Sequence, residues 1–121
     1  MNYLSSPYSH PDAAVRELRF FRAMQGLAFL LREKLWTYSP IVHLHQMVQI
    51  EKLPIDAEYW KEYNYEILCN CQDLYELRID GWEFSIGMKD ENAMARNWGL
   101  PIHAILFHEE QRTFSINRNV A

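Results

Sequence analysis

At 121 residues, with 49% hydrophobic and 23% charged residues, the chain has room for one compact domain with a real core and too little for two. Its net charge of -4, with no cluster of Lys and Arg, excludes the basic footprint that a nucleic-acid polymer needs and favours a small ligand or a protein partner. "MNYLSSPYS" has neither the charged nor the apolar region of a leader peptide, and no apolar run approaches the ~18 to 20 residues of a membrane span, so a soluble cytoplasmic protein with no membrane partner is expected.

In chain order, "NYLS" reads as a short strand, followed by the proline-rich turn "SPYSHPD". A helix opens near Asp12. Through "AAVRELRFFRAMQGLAFLLREK" the residues Ala14, Leu18, Phe21, Met24, Leu27, Ala28 and Leu31 keep a helical period and are expected to face the core, with Arg16, Arg19, Arg22 and Arg32 mostly off that stripe. "LWTYSPIVHL" reads as a second strand, bounded by Pro40 and passing into an irregular stretch up to Pro54.

A second helix, "DAEYWKEYNYEILCNC", carries Trp60, Tyr63, Ile67, Leu68 and Cys71 on one side. Cys69 and Cys71 lie two apart on it, which turns them away from each other and leaves two reduced thiols. "LYELRI" is a third strand, ended by Gly81 in "DGW"; the helix in "SIGMKDENAMARNWG", the strand "IHAILF" and an edge strand in "RTFSINR" follow. Strand-helix alternation at this spacing predicts a single α/β domain over 1–121: a flavodoxin-like, Rossmann-like three-layer fold with four or five mostly parallel strands in an order beginning 2-1-3-4. The sequence contains no internal repeat and no low-complexity segment.

Glu91 is out of place in this scheme. At about 100° per residue it falls among Met88, Met94, Ala95 and Trp98, the apolar stripe of its helix. A carboxylate on such a face must be paired, protonated or beside a cavity. In a parallel sheet the ligand site lies beyond the carboxyl ends of the strands, which points to "SSPYSH", "SPIVHLH" and "DGWEFSIG", all rich in hydroxyls, imidazoles and aromatics. Ser85 stands where a helix N-cap belongs, close to a natural anion site.

Together, "YLSSPYSH", "SPIVHLH", Trp60 with Asn64, and "GWEFSIGMKDENAMARNWGLPI" resemble the nucleoside 2-deoxyribosyltransferase-like superfamily, in particular a small bacterial and phage branch of DUF1937-like proteins. The branch pattern S-x-G-[VM]-x-x-E-x-x-x-A-x-x-x-G-x-P is met by Ser85, Gly87, Met88, Glu91, Ala95, Gly99 and Pro101. The resemblance implies that Glu91 is a nucleophile that attacks the anomeric carbon of a (deoxy)nucleoside or nucleotide, releases the base and holds the sugar as a glycosyl ester. Transfer to a second base, or hydrolysis, completes the reaction with retained configuration. It also implies that Tyr8 lines the sugar and base site, and that Ser85 contacts a 5′-phosphate.

Site residues expected on this reading are Glu91, Asn64 and Tyr8 for catalysis, and Ser6, Ser9, His43, His45, Trp82, Ser85, Gly87 and Met88 for substrate binding. No metal and no cofactor is expected. Characterised relatives share active sites between subunits, so a homodimer or a higher even-numbered oligomer is implied, and four tryptophans with seven tyrosines leave aromatic surface for it.

One departure stands out. Where many relatives have an aspartate linked to protonating the leaving base, this chain has Asn64, and an amide is no general acid. Gln72 repeats the trend. A binding module that senses or sequesters a nucleotide derivative is therefore the alternative to an enzyme. Plainer readings also stand: Ser85 as a helix cap only, His43 and His45 as a strand-end pair or surface residues, Tyr8 as a turn aromatic, and Glu76 with Arg78 as a mutual pair or an interface feature.

Overall fold

The computed structural model describes residues 1–120. Among them, β1 Asn2–Ser5, β2 Thr37–Tyr38, β3 Leu74–Leu77, β4 Ile102–His108 and β5 Thr113–Asn117 form one sheet in the order β2-β1-β3-β4-β5. The first four are parallel, and β5 closes the edge antiparallel to β4. Helices α1 Ala13–Arg32, α2 Pro40–Ile50, α3 Ala57–Leu68 and α4 Ile86–Asn97 complete the flavodoxin-like arrangement that the alternation predicts, strand order included. No helix among the described residues is long and apolar enough to cross a membrane.

Strand periodicity divides the core in two. Tyr3, Leu74 and Ile102 point to one face and pack with Leu68 of α3 and Ala95 of α4. Leu4, Tyr75, Leu77 and Ile105, one register position away on β1, β3 and β4, pack with Ala23 and Leu30 of α1 on the other. Both faces are covered, as a parallel sheet requires.

The structure corrects three sequence expectations. The stripe assigned to the core on α1 is largely solvent-facing: Leu18, Phe21, Met24 and Leu31 are exposed. The helix instead buries Ala23, Gly26 and Leu30. Apolar residues surround this helix, so periodicity fits more than one face, and small residues decide which one approaches the sheet. A Cβ at Gly26 would lie 3.4 Å from Leu77 Cδ1.

The second strand is only Thr37–Tyr38, and "PIVHLHQMVQI" is helix α2 rather than strand and loop. Ser39 caps it, accepting from the Val42 amide at 3.2 Å, and Pro40 takes the first-turn position where its missing N–H costs nothing. The third correction is that α3 ends at Leu68, so Cys69 and Cys71 lie beyond it, the first exposed and the second buried, both free.

Other expectations meet their structure directly. Asp12 caps α1, accepting from the Ala14 amide at 2.9 Å. Gly81 sits at φ 88, in the left-handed region, so the turn after β3 admits glycine alone without strain. Glu76 and Arg78 do pair, at 2.9 Å, and Arg78 lies over the Trp82 ring at 4.3 Å.

Candidate functional site

The site begins with two hydroxyls on β1. A strand's period of two puts Tyr3 and Ser5 on the same face, under α4, where they meet Glu91. Ser5 Oγ donates to Glu91 Oε1 at 2.6 Å, and the Tyr3 hydroxyl donates to Oε2. Both carboxylate oxygens are thereby held by strand residues, which fixes the side chain as no exposed helix glutamate is fixed.

Glu91 is 6% exposed. Burial pushes its pKa up to about 7, against the lowering effect of the Ser5 and Tyr3 bonds and with smaller raising contributions from Asp90 and Glu76. Near neutrality it is divided between acid and carboxylate. The Tyr3 phenol is driven well above its usual range by burial and by Glu91, so it stays protonated as the donor.

The residues on α4 explain most of the spaced pattern. Ser85 caps the helix, accepting from the Met88 amide at 3.2 Å. Ala95, fully buried, lets α4 approach the sheet. Gly99, at φ 70, ends the helix, with its amide bonded to Arg96 O and that of Leu100 to Ala95 O. Cap, packing and stop together set the height at which Glu91 meets β1.

Glu91 opens on a cavity of about 270 Å³ beyond the carboxyl end of β1, at the switch point where the sheet order turns from β2 to β3. Small-molecule sites run from ~300 to 1,000 Å³, and this cavity lies at the lower end of that scale. Ile41, Leu44 and Val48 of α2 form an apolar wall; Tyr8, Trp60 and Phe84 add aromatic surface; Lys61, Asp56 and Asp90 are the other charged groups lining it. The Trp60 indole is fixed by donating to Pro54 O at 2.7 Å.

Of the residues expected at a site, Glu91, Asn64, Tyr8, Ser6, Ser9, His45, Ser85 and Gly87 converge on this cavity. His43, Trp82 and Met88 do not line it. His43 is exposed, because on a helix its neighbour two positions away faces nearly the opposite side. Trp82 and Met88 line a separate cavity of about 160 Å³ beside Glu76 and Asn92. Gln72 is exposed just before β3, away from the cavity.

Two cavity-lining polar atoms, Ser6 Oγ and Asn64 Oδ1, are buried with no hydrogen-bond partner among the described residues. Such atoms are rare without a reason, and a ligand that donates to them is one. The Asn64 amide thus faces the site.

Several participants escaped sequence reading. Tyr3 and Ser5 had a signal: a phenol and a hydroxyl inside a buried parallel strand are polar groups that need a partner. Leu44 and Val48 were legible from the Ser-Pro cap and the apolar spacing after it. The arginines of α1 had none. Arg19 Nη1 donates to Ser9 O at 2.9 Å and Arg16 Nη1 to His10 O, pinning the loop after β1, while Ser9 Oγ donates to Ile55 O at 2.7 Å across the cavity mouth.

The profile of a family described as "Domain of unknown function (DUF1937)" matches residues 1–106. The chain belongs to the DUF1937 family. The matched span of this DUF1937 chain contains every residue of the cavity and stops within β4, before β5. A comparison with curated proteins finds no match.

Proposed function

We propose that the protein cleaves or transfers at the N-glycosidic bond of a (deoxy)nucleoside or nucleotide through a covalent glycosyl-Glu91 intermediate, in keeping with the resemblance to nucleoside 2-deoxyribosyltransferases. The observation that carries the proposal is Glu91 itself, a buried carboxylate held at both oxygens and lining the cavity. Poor hydration and a fixed position are what covalent catalysis asks of a carboxylate. The aromatic groups around it offer stacking surface to a base.

A 5′-phosphate, where the substrate has one, would lie at the start of α4, where Ser85, Ile86 and Gly87 line the cavity and helix amides attract anions. Lys61 adds a cation. The protein acts, on this reading, in the cytoplasm and as a homodimer or higher even-numbered oligomer. Phe84 and Ile86, 80% and 68% exposed at the cavity rim, supply apolar surface for a subunit contact there. Light scattering at micromolar concentration should return at least twice the 14.5 kDa chain mass; a monomer would count against a shared site.

The second reading is a binding module, and Asn64 favours it, since no carboxylic acid stands at that position. Incubation with deoxynucleosides, deoxynucleotides and a free acceptor base, followed by chromatography, separates the two. An enzyme liberates or exchanges base, whereas a binding module retains the ligand intact.

A further inference from the structure

A second chain of titratable groups reaches the same cavity from outside. The Tyr8 hydroxyl lies 2.8 Å from His45 Nδ1, and His45 Nε2 lies 2.9 Å from Glu17 Oε2. The three residues come from three elements, the loop after β1, helix α2 and helix α1, so their alignment is tertiary. His45 is almost wholly buried and stacked on Phe20 at 4.1 Å between ring centres, while the Glu17 side chain is 46% exposed. A continuous hydrogen-bonded path therefore runs from solvent at Glu17 to a phenol lining the cavity.

The charges decide its direction. A carboxylate only accepts, so Glu17 holds a proton on His45 Nε2. With a second proton on Nδ1, that N–H donates to the Tyr8 oxygen, 2.8 Å away, and the phenolic proton is free to point into the cavity. Burial raises the Tyr8 pKa, Arg16 pulls it back and Glu17 adds to the rise, so the phenol keeps its proton until a base takes it.

We propose that Tyr8 is the proton donor to the departing base, recharged by His45 and Glu17, and that this relay supplies the acid Asn64 lacks. The inference rests on the glycosyl-transfer reading above. As a Glu91 oxygen forms its bond to C1′, the C1′–N bond breaks and its electron pair stays on the base nitrogen. That nitrogen takes the Tyr8 proton, and Tyr8 takes the Nδ1 proton of His45, leaving neutral imidazole. In the second half-reaction a nitrogen of the acceptor base, or the oxygen of water, bonds to C1′ as the C1′–O bond to Glu91 breaks and its electron pair returns to the carboxylate, while the attacking group gives its proton to Tyr8, which returns one to Nδ1. Tyr8 is the catalytic residue here; His45 and Glu17 act through it.

The test compares two donors of nearly the same shape, 2′-deoxyguanosine and 7-methyl-2′-deoxyguanosine, whose cationic ring departs without taking up a proton. In Tyr8→Phe, release of guanine should fall on the order of 10²-fold or more, while release of 7-methylguanine falls at least tenfold less. Glu17→Gln, at a half-exposed position that keeps the acceptor and removes the charge, should show the same selectivity in milder form. Equal losses on both donors in Tyr8→Phe and Glu17→Gln would overturn the relay and leave the Glu91 reading standing. A wild-type protein inert toward both donors would overturn the two together.

Discussion

Replacing Glu91 by glutamine should abolish base release and, above neutral pH, make the fold more stable. The catalytic half follows from losing the attacking oxygen's charge; loss of a nucleophile costs at least on the order of 10⁴-fold in turnover. The stability half follows from the proton. Glu91 has a folded pKa of about 7 against an ordinary value of 4.5, so the folded protein binds the proton more tightly than the unfolded chain does. Its contribution is fully present below pH 4.5 and is lost as pH rises through about 7. By pH 8 the wild type carries a buried carboxylate whose ionisation costs on the order of 3 kcal/mol, a burden that glutamine does not have. Urea denaturation of both proteins at pH 5 and pH 8 should show the gap widening in favour of Glu91→Gln at the higher pH. A gap that closes or reverses there would mean that the carboxylate is not held in the environment described.

Tyr3→Phe should move the acid limb of the pH-rate profile toward alkali. The phenylalanine keeps the ring beside Tyr38 and deletes the donor to Glu91 Oε2. A hydrogen bond to a charged group contributes about 1.5 to 3 kcal/mol, so its removal disfavours the carboxylate by roughly tenfold or more. Wild-type activity should rise with pH through about 7, where Glu91 ionises. In Tyr3→Phe the same rise should come at least one pH unit later, with activity recovering at high pH. Loss of activity uniform across pH would show that Tyr3 shapes the site without tuning its carboxylate. Ser5→Ala, which removes the bond to Oε1, should act in the same direction.

How far the sequence could be read depended on what each signal measures. Alternation of strand and helix, the Asp12 and Ser85 caps and the Gly81 turn are local, and they located β1, α1, β3, α4 and β4. The same local reading failed at "SPIVHLH", where two β-branched residues suggested a strand but Ser39 and Pro40 form a helix cap and first turn. It failed also on α1, whose apolar residues occupy both sides, so that only the small Ala23 and Gly26 tell which side meets the sheet. Glu91 was legible because a charge on an apolar stripe needs a reason. Its partners Tyr3 and Ser5 are more than eighty positions away, and no spacing rule joins them to it. The Tyr8, His45 and Glu17 path is likewise visible only once three elements are packed together.

The most direct measurement of the central claim is intact-mass analysis of the protein quenched in acid during turnover of 2′-deoxynucleosides and their 5′-monophosphates. Wild type should gain the mass of one deoxyribosyl group, or of its phosphorylated form. The adduct should discharge when an acceptor base is added and be absent from Glu91→Gln. Base release by the wild type with no such adduct, or with undiminished rate in Glu91→Gln, would contradict a glycosyl-Glu91 intermediate.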